Sequence, residues 1–190
     1  MTLDQIMHKY SIDETDIAPH VLVNTDNGWT TAAKECAAIK MMNENKVLSH
    51  FFGDCHYKWV TDKETQLSGI DLIVDDSINI DLKSLIGNAY TLTSDDNPFW
   101  DGKYTPCIVV ELYQNGVFTN TKDKKTDYVL YYVGDKIEDK FILVDYAEIK
   151  RISNIELFTK KHVWHTSNNG TGIYIKVPLR ELKTAKVMKL

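Results

Sequence analysis

Two aspartates and a lysine, Asp71, Asp81 and Lys83, stand in the stretch SGIDLIVDDSINIDLK near the middle of the chain. Carboxylates supply hard oxygen ligands for a divalent cation, and an ammonium beside them can hold a phosphate oxygen or orient a water molecule. Such a set does chemistry only if it converges on one point, and the spacing predicts that it does. Ile70, Leu72, Ile73 and Val74 form an apolar run, and Asp75, Asp76 and Ser77 a polar turn. Beyond the turn, Ile78, Ile80 and Leu82 alternate with Asn79, Asp81 and Lys83. In an antiparallel hairpin closed there, Asp81 and Lys83 share a face and Asp71 lies roughly opposite one of them.

The elements that must position this hairpin follow from the flanking sequence. A short helix, LDQIMHKY, and an irregular stretch with Pro19 and the turn signal Asp26, Asn27, Gly28 precede a helix capped by Thr30 or Thr31. That helix runs through AAKECAAIKMMNENKVLS, free of Gly and Pro. CHYKWV reads as a strand and TDKETQ as an acidic loop. After the hairpin, the long segment Ser84 to Pro106 carries Tyr90, Phe99, Trp100 and Tyr104. Its length suits either a substrate-facing flap, with Trp100 stacking on bases, or a loop folded back on its own aromatics. CIVVELY and TDYVLYYV read as adjacent strands, FILVDY as another and NGTGIYIKVPL as the last, before a helical terminus RELKTAKVMKL. The expected class is α/β or α+β, with a central mixed sheet flanked by helices.

The hairpin, with Asp71 on its first strand and the triplet Asp81, Leu82, Lys83 ending its second, resembles that of the PD-(D/E)XK, or restriction-endonuclease-like, nucleases. Ile70 stands where those proteins often have proline. The longer string DKETQLSGIDLIV, with Asp62, Gln66 and Gly69 ahead of Asp71, is similar to small phage and plasmid members, and KKTDYVLYYV to their later core strand. The likeness covers about 30–150 of a single domain spanning 1–190 and leaves both ends unmatched. It implies a restriction-endonuclease-like core and Mg2+- or Mn2+-dependent hydrolysis of DNA. Asp71, Asp81 and the Leu82 carbonyl would hold the metal, and Lys83 would orient water or stabilise the phosphorane. It further implies a glutamate from the preceding helix, for which Glu35 is the candidate and Glu44 the fallback, and a homodimer. Gln66 and Asp62, in the loop before Asp71, are candidates for substrate contact, as are Lys124 and Lys125.

The bare (D/E)xK pattern recurs at Glu44, Asp101, Asp123, Glu138, Glu148 and Glu181. Only Asp81 ends an apolar strand paired with another that bears an acid; Glu148 sits in YAEIKRI, which reads as a helix. Glu111 reads as an edge charge. His50, Cys55 and His56, or His162 and His165, have ligand chemistry for zinc but no second spaced pair.

Composition bounds the rest. The 190 residues carry 27 acidic and 22 basic side chains, a net charge of −5, and 43% are hydrophobic, which suits one folded domain rather than a disordered chain. The acidic balance excludes a protein that coats nucleic acid by charge alone. The later lysines and arginines could still line a DNA groove. No apolar run has the length of a membrane span, the start lacks a signal-peptide core, and the three cysteines are odd in number, so a cytoplasmic protein with reduced thiols is expected. Two other readings stay open. One is a nuclease-fold module that binds DNA or a protein partner without cutting; the other is an acidic mimic of DNA.

Overall fold

A computed structural model of the chain describes residues 1–21, 24–87, 91–92, 105–114, 117–118, 124–134, 138–153, 164–166 and 172–190. Trp100, and most of the segment around it, lies outside these residues.

The chain begins with helices. Thr2 caps α1 (Leu3–Tyr10) reciprocally with Gln5, and Asp13 caps the single turn α2 (Glu14–Ile17). The long helix α3 (Asp26–Glu44) starts earlier than Thr30: Thr25 caps it by accepting the Gly28 N–H at 3.2 Å. Thr30 and Thr31 instead bond back to the carbonyls of Asp26 and Asn27, inside the first turns. The helix also stops sooner than its composition suggests, because Lys46 takes a left-handed φ of 50° and α4 (Val47–Phe52) sets off afresh. Ala32, Ala33, Ala37 and Ala38 are buried, and their small side chains let α3 lie close on the sheet beneath.

That sheet has six strands in the order β1 (Tyr57–Trp59), β2 (Leu72–Val74), β3 (Ile78–Ile86), β7 (Tyr128–Gly134), β8 (Lys140–Asp145) and β11 (Lys186–Lys189). It is mixed but mostly antiparallel, with β3 and β7 the parallel pair. The β2 to β3 turn is the predicted one: Asp75 and Asp76 both take positive φ, 47° and 56°, and the Ser77 N–H donates to the Val74 carbonyl at 3.2 Å. Aspartate tolerates this left-handed geometry better than most residues, and such a turn matches the twist of the strands it joins.

A second sheet holds β4 (Thr91–Leu92), β5 (Thr105–Gln114), β10 (Gly172–Pro178) and β9 (Trp164–Thr166) in that order, with β6 (Val117–Phe118) also paired to β5. CIVVELY and TDYVLYYV are therefore not neighbours. The first is in β5, paired to β10, and the second is β7, buried on both faces between β3 and β8. Alternation along β7 serves two cores. Leu130 and Tyr132 face Phe141, Leu143 and the helices, while Val129, Tyr131 and Val133 face Ile108, Val110 and Ile175 of the second sheet. The helix α6 (Tyr146–Ile152) closes this second core with Tyr146, Ile149 and Ile152.

The C-terminus is not the expected helix. One 3-10 turn, Leu179–Glu181, leads into β11, whose backbone pairs with the edge of β8. Lys, Ala and Met favour helix intrinsically, but an open strand edge and the burial of Leu182 outweigh that preference. The segment TDKETQ likewise departs from the loop reading and contributes most of a short helix, α5 (Lys63–Leu67). Among the described residues no helix is long and apolar enough to cross a membrane.

Candidate active site

The register of the central hairpin pairs Leu72 with Ile80, Ile73 with Asn79 and Val74 with Ile78. Beyond the last paired residue the ladder slips, so that the Asp71 N–H also donates to the Ile80 carbonyl, at 2.9 Å, and the Asp71 carboxyl comes within reach of Asp81. There the first strand leaves the sheet, turning at Gly69 with φ 84°. The Asp71 side chain takes over the strand's role, with Oδ2 accepting the Leu82 N–H at 2.7 Å. Along β3 the pleat directs Ile80, Ser84 and Ile86 to the α3 side, where Ser84 Oγ donates to the Lys34 carbonyl at 2.7 Å. Asp81, Lys83 and Leu85 point the other way, towards the second core.

Asp81 is only 2% exposed, and both of its oxygens are held by ammonium groups. Lys83 Nζ lies 2.9 Å from Oδ1 and Lys124 Nζ 3.2 Å from Oδ2. Lys124 arrives from the segment leading into β7, which is pinned along its length. Thr126 Oγ1 donates to the Gly69 carbonyl, Asn79 Nδ2 to the Lys125 carbonyl at 2.9 Å, and the Asn79 N–H to Asp127 Oδ2 at 2.8 Å.

Burial and these charges set the protonation of the three groups. Burial first, then the Asp81 charge, pushes the Asp71 carboxyl up to about 6, against the opposing pull of Lys83 and the Leu82 N–H. Burial also works against ionised Asp81, but the Lys83 and Lys124 ammoniums outweigh it and hold this carboxyl below its ordinary range. For Lys83, burial favours the neutral amine, and the Asp81 carboxylate reverses that, raising its affinity for the proton. The site thus holds one fixed carboxylate, one that exchanges its proton near neutrality, and a fixed ammonium.

Two hollows flank β3. A cleft of about 260 Å³ on the helix side is lined by Asp71, Leu82, Thr31, Lys34, Glu35 and Ala38. A cavity of about 210 Å³ on the other side has Asp81, Lys124, Glu111 and Tyr131 above an apolar floor that includes Val110 and Val129. Lys83 and Ser84 border both. Burial, with the Asp81 and Glu111 charges, strongly disfavours loss of the Tyr131 proton, so this tyrosine stays a hydrogen-bond donor.

The structure brings some of the expected residues together and leaves others apart. Asp71, Asp81, Lys83 and Lys124 form one cluster. Glu35 lines the cleft beside Asp71, with its side chain 52% exposed and Oε1 3.5 Å from His20 Nδ1. Glu44 is on the surface, 3.9 Å from Lys40. Asp62 caps α5 by accepting the Thr65 N–H at 2.8 Å, and Gln66 Nε2 donates to the Val60 carbonyl at 2.9 Å. Lys125 is exposed, in contrast to its neighbour Lys124. His56 is held by the turn acids, 2.9 Å from Asp75 and 3.4 Å from Asp76.

Glu148, in one of the other (D/E)xK triplets, is 6% exposed and accepts the N–H groups of Lys183 and Thr184, each at 2.8 Å, and the Thr184 hydroxyl at 2.6 Å. Its work is to tie α6 to the chain that becomes β11. Sequence reasoning missed Tyr131, which stands in register with Lys83 across the parallel pair, and missed that Lys124 reaches Asp81. No signal in the residues themselves gives that register, which spans two distant strands.

Among the described residues no group of three or more His, Cys, Asp or Glu side chains is placed to hold a metal ion. The oxygen donors that meet here are the Asp71 and Asp81 carboxylates, hard ligands of the kind that suit Mg2+, which keeps several of its own waters. Zinc, which prefers nitrogen and sulfur, does not fit this set. No protein-family model matches the chain, no curated protein matches it, and no solved structure matches it.

Proposed function

We propose that the protein is a metal-dependent nuclease that hydrolyses DNA phosphodiester bonds at the Asp71, Asp81 and Lys83 site, on a restriction-endonuclease-like core. The observation that carries this reading is the approach of the Asp71 and Asp81 carboxyls at the end of the hairpin, with Lys83 Nζ 2.9 Å from Asp81. Placing two carboxylates side by side in a half-dry site is costly unless a cation answers them.

Asp71, Asp81 and the Leu82 carbonyl would hold Mg2+ or Mn2+. The bound metal would supply Lewis acidity at the scissile phosphate and a more acidic water. Asp71 would have to give up its proton to serve as a ligand, and its raised proton affinity would make metal binding sensitive to pH near neutrality. Lys83, fixed as a cation, borders both hollows and can orient the attacking water or neutralise charge on the phosphate. The cleft beneath α3 gives a phosphate access to Asp71, and Lys34 and Thr31 on its wall offer further donors. Cutting both strands of a duplex calls for two such sites, so a homodimer belongs to the proposal.

A second reading rests on a different observation. Both oxygens of Asp81 are already paired with lysines, a self-contained ion network of the kind a non-cutting, DNA- or protein-binding relative would keep. The test is cleavage of supercoiled plasmid, single-stranded DNA and a branched junction with Mg2+ or Mn2+, comparing wild type with Asp81→Asn and Lys83→Ala. Metal-dependent cutting lost in both variants supports the nuclease. No cutting of any substrate, together with no metal binding by calorimetry, replaces it with the binding module.

A further inference from the structure

We infer that Lys124 is a latch on this site: it closes the second oxygen of Asp81 in the resting protein and must let go before that oxygen can serve another cation. The inference rests on the nuclease reading above.

The two lysines on Asp81 are not equivalent. Lys83 lies two residues along the same strand, and its side chain is 43% exposed. Lys124 comes from 43 residues away, with only 19% of its side chain exposed, and its stem is seated against Gly69. A Cβ built on Gly69 would stand 2.8 Å from Lys124 Cδ, closer than packed carbons tolerate, and 3.0 Å from Thr126 Oγ1 and 3.2 Å from Lys124 Cε, both tight. The positive φ of Gly69 and this close approach both call for glycine at the same position. The bond from Thr126 Oγ1 to the Gly69 carbonyl then fixes the lysine's segment to the turn on which its stem rests. Lys124 is thus built into place, and its ammonium occupies the side of Asp81 that Lys83 leaves open.

Occupancy has a thermodynamic consequence. Any cation that uses Asp81 Oδ2 competes with the Lys124 ammonium, so the measured affinity is the intrinsic one reduced by the stability of the latched state. Once released, Lys124 remains at the rim of the cavity with Lys83, as a second positive charge for a phosphate group.

The experiment is Mn2+ binding to the full-length chain, read by paramagnetic resonance of free Mn2+, for wild type, Lys124→Met and Gly69→Ala. Circular dichroism would check each fold, and the glycine variant, which keeps the lysine and its charge, carries the test should Lys124→Met fail to fold. The expected result is binding about tenfold tighter in both variants, the scale of one charge-assisted hydrogen bond that no longer has to be broken. Unchanged or weaker binding in both, with the wild type binding normally, would overturn the latch and leave the nuclease reading standing. Absence of Mn2+ binding in all three proteins would instead remove the reading on which the latch rests.

Discussion

Asp71 Oδ2 accepts the Leu82 N–H at 2.7 Å, in the place where a neighbouring strand's carbonyl would otherwise sit. A side chain thereby completes the edge of β3 just as β2 peels away, and the same bond fixes the carboxylate beside Asp81. The acid pair is a product of where one strand ends.

Removing the charge of Asp81 leaves the Lys83 and Lys124 ammoniums without their common partner. Asp81→Asn is expected to destabilise the fold by about 2 kcal/mol, below the usual cost of breaking a buried pair because Lys83 is partly in water. Urea denaturation measures this, and the same variant should lose Mn2+ binding and cleavage.

The raised affinity of Asp71 for its proton gives a pH signature. Its carboxyl sits at about 6 in the folded protein against an ordinary 3.8, so the unfolded chain releases this proton first. The stability this group contributes is full below about pH 4 and is lost as pH rises through about 6. Asp81 and Glu148, both held below their ordinary range, act in the opposite sense at lower pH. The difference between wild type and Asp71→Asn is therefore the quantity to follow, and it should change by about 1 kcal/mol between pH 4 and 7. A flat difference would mean that folding leaves the proton affinity of Asp71 unchanged. Divalent-cation binding should weaken below pH 6, where Asp71 keeps its proton.

Glu35 offers a sharper question about the cleft. Its side chain is half exposed, and it joins no cluster of three acids. Glu35→Gln should leave stability within about 0.5 kcal/mol of wild type and reduce Mn2+ affinity far less than Asp81→Asn. A loss equal to that of Asp81→Asn would place Glu35 among the ligands.

Glu148→Ala removes the acceptor for two backbone N–H groups and the Thr184 hydroxyl. An expected loss of about 2 kcal/mol should be accompanied by faster amide exchange along β11, with Mn2+ binding unchanged.

Much of the hairpin was legible from its residues because the signal is local. Alternation at Ile78, Ile80 and Leu82 and the Asp75, Asp76 turn set the faces and the register from Leu72 to Val74, and Asp71 follows just beyond them, within reach of Asp81. The assignment of β5 to its own sheet was not legible, because the apolar run around Cys107, Ile108 and Val110 suits a strand in either sheet. Nor was the fate of the C-terminal lysines, where an empty edge on β8 decides against helix. Lys124 stood out by charge, but its partner did not, since the contact crosses 43 residues of chain.

That parallel pairing of β3 and β7 also orders events in time. The hairpin closes through a short turn and needs no distant segment, whereas β7 can dock only after a long crossover has been gathered in. On the way to the native state, Asp71 and Asp81 therefore meet while Lys124 is still remote. Their repulsion falls on an early step of folding, and Lys83 alone answers it. Ionic strength should accordingly govern how fast the chain folds more than how stable it finally is.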